Sequence, residues 1–146
     1  MQFSEQERTA MKQRAAELRN EASRSRSGKA AANELDVLEK IDQMPEPDRA
    51  LATRIHALVT ENAPQLAPKL WYGQPAYARD GKVVCFVRSG QADKERYSTF
   101  GFTPEARLDD AAGLWPTSYA VSELTRQAEQ AIARLVRSAV RVAQSS

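Results

Sequence analysis

The apolar positions of the chain switch from helical spacing to alternation and back again. Near the start they are sparse: Ala10, Met11, Ala15, Leu18 and Ala22 recur among Glu, Arg, Lys and Gln. Ser4 and Glu7 fit a capping box, so a helix is predicted from there to about Ala22, and with so few apolar residues it packs only weakly. Ser23 to Lys29, rich in Ser, Arg and Gly, reads as a flexible basic linker, because Ser and Gly compete with helix formation. A second helix is expected over Ala30–Met44, with Leu35, Leu38 and Ile41 spaced three apart on one side. Pro45 stops it. Pro47 and Asp48 open a third, running to about Asn62 and burying Leu51, Ile55, Leu58 and Val59. Pro64 and Pro68 end any continuation.

Alternation then takes over. Gln74–Ala78 is expected to pair with Lys82–Ser89 across Asp80-Gly81, a dipeptide tolerant of the positive φ angles of a tight hairpin. Both alternation sets of the second strand are apolar, which predicts an interior strand covered on both faces. A third strand is predicted over Glu95–Phe102. Thr103-Pro104-Glu105 carries the marks of a short capped helix that Gly113 would end. Thr117–Val121 reads as a last strand, and Thr125 to about Ala143 as a terminal helix with Ala128, Ile132, Leu135, Val136 and Ala139 as its apolar stripe. Helices, a strand meander, then a helix predict an α+β fold: a compact two-layer domain of antiparallel sheet with helices packed on it. Residues 1–32 form the expected N-terminal helix and linker, and 33–146 the domain.

Composition narrows the class without naming a function. With 146 residues, 42% hydrophobic and 27% charged, the chain is long enough for one sizeable core. Its net charge of +2 is unevenly spread. Residues 1–32 have seven bases against four acids, 33–48 six acids against Lys40 alone, and 49–146 thirteen bases against nine acids. Neither sign dominates enough to make nucleic acid the expected partner. Cys85 is the only cysteine, which excludes an intramolecular disulfide and a cysteine-rich metal cluster. No apolar run is long enough for a membrane span and no apolar leader is read, so a cytoplasmic address is expected.

Three stretches carry a resemblance. Trp71-Tyr72-Gly73-Gln74-Pro75-Ala76-Tyr77, the hairpin exit Gly81-Lys82-Val83-Val84, and Tyr97-Ser98-Thr99-Phe100-Gly101-Phe102 resemble the YdhG-like family of domains of unknown function. The likeness covers roughly residues 35–140 and departs at 1–32. It implies a fold similar to frataxin, the iron-handling protein of iron–sulfur assembly, and some bacterial relatives are described as iron chaperones. It supplies no agreed functional residues.

Two candidate sites follow from the residues themselves. Trp71, Tyr72, Gln74, Tyr77, Lys82 and Tyr97 form a candidate ligand-binding set at the base of the hairpin, with aromatic walls and a few polar groups as small-molecule sites have; packing in the core is the competing reading. Asp36, Glu39 and Asp42, at three-residue intervals, form a row of oxygen ligands suited to a hard cation such as iron; a solvated helix face is the alternative. His56 lacks a second imidazole or thiolate at ligand spacing, and Cys85 sits in an apolar strand. No nucleophile or acid–base constellation is legible. The expectation is a non-enzymatic protein that binds a small ligand or iron, in the manner of a chaperone. The alternative is a protein–protein interaction module, or a homo-oligomer, that uses the aromatic face and N-terminal helix.

Overall fold

The computed structural model describes residues 4–23 and 26–141. The chain runs α1 (Glu5–Ser23), α2 (Arg26–Asp42), α3 (Asp48–Asn62), then strands β1 (Ala67–Trp71), β2 (Gln74–Arg79), β3 (Lys82–Arg88), β4 (Ser98–Phe102) and β5 (Ser118–Val121), then α4 (Arg126–Ala139). The strands form one antiparallel meander in sequence order. The fold is α+β, helices on a sheet.

Register decides which side chains meet the helices. Tyr77 pairs with Cys85, Cys85 with Phe102, and Val87 with Phe100, so these side chains share one face. All five are buried in a single core with Val37 and Ile41 of α2, Ile55 and Val59 of α3, and Ile132 and Val136 of α4. On the other face Lys69 pairs with Ala76, Ala76 with Phe86 and Phe86 with Gly101, while Trp71 faces Gln74. Trp71, Gln74 and Phe86 are only half-buried there, and Ala120 is exposed.

β3 is the middle strand, as its apolar run predicts, but it is not covered on both sides. Its second alternation set has two other origins. The register slips by one residue between Tyr77 and Ala78, which makes Val84 an extra residue of β3 and places it in the core. Phe86 belongs to the open face. β1 was hidden in sequence by Pro68, which an edge strand tolerates because a missing N–H on its outer side breaks no ladder. Both hairpins turn on two residues with positive φ: Tyr72 (53°) with Gly73 (75°), and Asp80 (52°) with Gly81 (80°).

Four other expectations are corrected. α2 begins at Arg26, so residues 26–29 are its first turn rather than linker; Arg24 and Ser25 of that linker lie outside the described residues, as do the last residues read into the terminal helix. Its buried side is Val37 and Ile41, followed by Met44 just past the helix; Leu35 and Leu38 are 59% and 42% exposed. Residues 103–113 do not form a helix. The Thr103 hydroxyl donates to the Val83 carbonyl (2.6 Å), its N–H to that of Val84 (3.0 Å), and the Arg107 N–H to the Ala139 carbonyl (2.9 Å). The Arg107 N–H spent on the end of α4 is lost to a local helical ladder. Tyr97 and Arg96 stay outside β4, because Lys94 (φ 58°) closes a 3-10 turn at Gln91–Asp93 and delays the strand to Ser98.

Candidate functional site

The expected aromatic set is divided by the sheet. Tyr77 is fully buried on the helix side, where its hydroxyl lies 2.9 Å from Nδ1 of His56 on α3. The phenol has no other hydrogen-bond partner among the described residues, so it donates to Nδ1 and leaves the ring proton on Nε2. Burial pushes the Tyr77 hydroxyl pKa up and the His56 pKa below 6.5, the Glu34 charge opposing the latter. This pair holds α3 to the sheet.

Trp71 lies on the opposite face. Its ring stands 5.3 Å from that of Phe86 and 5.0 Å from that of Tyr72, and Gln74 is its cross-strand partner. Gly101 beneath Phe86 is part of this arrangement: a Cβ there would come within 2.4 Å of the ring, so a bare backbone lets Phe86 lie flat on the strand. Tyr72 is 43% exposed. Trp71, Tyr72, Gln74 and Phe86 thus form a continuous, half-open patch at one end of the sheet. Phe86 was not among the candidates, because its place in an apolar run pointed to the core.

Lys82 does not join this patch. It follows the Asp80–Gly81 turn at the far end of β2, five strand residues or about 17 Å from Gln74. Tyr97 is at the same end of the sheet as Trp71 but three strands away, 37% exposed, with the Arg96 guanidinium 5.2 Å from its ring centre.

The helix α1 closes one side of the patch. Glu17 Oε1 accepts the Gly73 N–H (2.9 Å) and the Arg14 guanidinium sits 5.8 Å from the Tyr72 ring centre. The carboxamide of Gln13 occupies the space where a Cβ of Gly73 would be, 2.0 Å from that position.

The acidic row does not converge. Asp36 and Asp42 are six residues apart on one helix, an axial rise of about 9 Å, whereas a hard cation gathers its oxygens within 2.6 Å of itself. Among the described residues no three His, Cys, Asp or Glu side chains are placed to hold a metal ion. Asp48, the last acid of the run, is buried and employed: Ser89 Oγ and the Gln91 N–H both donate to it. Cys85 is fully buried, which pushes its thiol pKa up and removes it from nucleophilic chemistry. A shallow depression along the outer side of α3, lined by Ala50, Thr53 and Ala57, is flanked by charges already paired, Arg49 with Glu46 and Arg54 with Glu129.

Among the described residues no helix is long and apolar enough to cross a membrane. No protein-family model, curated protein or solved structure matches the chain.

Proposed function

We propose that the chain is a non-enzymatic binding protein of YdhG-like kinship, whose open sheet face takes an extended or helical peptide segment of a partner. The observation that carries this reading is the Trp71–Phe86 pair, half-buried on the face the helices leave open. Two large aromatic rings kept at a surface, one of them resting on a glycine, are the anchors around which interaction energy concentrates. Gln74 adds a side-chain amide with both donor and acceptor capacity beside the rings.

The test is selection of binding peptides from a random library on the immobilised full chain. Enriched sequences should lose at least tenfold in affinity for Trp71→Ala and for Phe86→Ala, with the helix-side core unchanged as judged by melting temperature. Peptides that bind both variants as well as the parent would place the site elsewhere.

A further inference from the structure

Over residues 5–19 the helix α1 turns its larger apolar side chains away from the domain. Gln13, Arg14 and Glu17 turn toward the domain, while Met11 and Leu18 are 50% and 49% exposed. Surface helices ordinarily dock by the apolar side. Here the contact is a polar latch on the Tyr72–Gly73 turn: one backbone hydrogen bond to the Glu17 carboxylate, one guanidinium over the Tyr72 ring, and a glutamine filling the space above Gly73.

The latch is also incompletely satisfied. Arg14 Nη1 and Glu17 Oε2 form an ion pair at 3.5 Å, both atoms are buried, and neither makes a hydrogen bond. Desolvating an ion pair that lacks hydrogen bonds offsets much of what the contact gains. The turn is better formed than its occupant. Tyr72, a residue with a Cβ, is held at φ 53°, and Gly73 has no Cβ to block close approach to its N–H.

We infer that the Tyr72–Gly73 turn is a docking site for a helix presenting a carboxylate, and that α1 fills it as a displaceable strap through Glu17. The occupant it fits in trans is an acidic helical segment with the Gln-Arg-x-x-Glu spacing of residues 13–17. Because the turn joins β1 to β2 beside Trp71, release of α1 would free that margin of the open face for the same partner. In this respect the inference rests on the binding role proposed above; the strap itself does not.

Hydrogen exchange on the full chain tests the strap without any ligand. Amides of residues 5–23 should exchange at least tenfold faster in Glu17→Ala than in the parent, while core strands keep their protection. Unchanged protection of α1 would overturn the latch. A synthetic peptide of residues 4–23 then tests the site. It should bind the Glu17→Ala chain at least tenfold more tightly than the parent, whose turn is occupied, and a peptide carrying Glu17→Gln should bind that chain at least tenfold more weakly. Equal binding to both chains, or none to either, would refute docking at the turn. A glutamine peptide as good as the parent peptide would refute carboxylate recognition. Loss of library-peptide binding on Trp71→Ala bears only on the open face, so the two readings fail separately.

Discussion

Single residues in this protein are assigned by the face of the sheet they reach. Tyr77 and Trp71 stand close together in sequence, yet one is sealed against His56 and the other rests beside Phe86 in partial contact with solvent. His56 has a measurable consequence. Its folded pKa lies below 6.5, so between the two values the unfolded chain holds the proton and the folded chain does not. Stability is therefore full above 6.5 and is lost as pH falls through it toward the folded pKa. Protonation would also put a hydrogen on Nδ1 and take away the acceptor that the Tyr77 hydroxyl needs. Denaturant midpoints measured on either side of pH 6.5 should show this loss. His56→Gln should flatten the slope, because no other histidine exists in the chain. A slope unchanged in that variant would remove His56 from the account. The lone histidine was visible in sequence; its tyrosine partner was not, since 21 residues and a strand separate them.

At the level of elements, what could be read from sequence is what depends on neighbours along the chain. The Asp80–Gly81 hairpin, the α3 stripe of Leu51, Ile55, Leu58 and Val59, and the Thr125 cap that accepts the Ala128 N–H at 3.1 Å all follow from local chemistry. The failures are tertiary. Thr103 accepts the Glu105 N–H as a cap would, but no helix follows, because the Arg107 N–H is drawn to the Ala139 carbonyl at the end of α4. Leu35 and Leu38 have core-like spacing, but α2 turns Val37 and Ile41 inward. The connection from β3 to β4 shows how such tertiary contacts hold an irregular segment. Asp48 at the start of α3 receives the Ser89 hydroxyl and the Gln91 N–H (2.9 Å), and the Gln91 side chain donates to the Glu46 carbonyl (2.9 Å). Asp48→Ala strands two donors and should cost about 2–3 kcal/mol, the range for losing hydrogen bonds to a buried charge. Urea unfolding would register it, and proteolysis should begin between residues 89 and 97. A variant within a few tenths of a kcal/mol of the parent would mean that the loop stands without α3.

Over the whole molecule the decisive arrangement is one sheet with two unlike faces: core against the helices on one side, Trp71, Gln74 and Phe86 left half-open on the other. That division is why half of the candidate site was legible. Trp71, Tyr72 and Gln74 converge because a two-residue turn brings them together, and such turns are written in local sequence. Tyr77, Lys82 and Tyr97 are dispersed by face, strand end and strand order, none of which a single sequence specifies. The acidic row meets the same limit, since spacing along α2 does not make carboxylates converge. Asp36, Glu39 and Asp42 spread along one helix, and Glu39 and Asp42 are exposed to water. Such a row gathers a diffuse counterion cloud rather than a coordinated ion, and salt screens it within a Debye length of about 8 Å at physiological ionic strength. Anaerobic titration with Fe(II) at that ionic strength should therefore give no stoichiometric saturation. The isotherm of the triple variant Asp36→Asn, Glu39→Gln, Asp42→Asn should superimpose on that of the parent. Saturation at one ion per chain that the triple variant abolishes would restore a metal site on α2 and move the function from the open face to the helix layer.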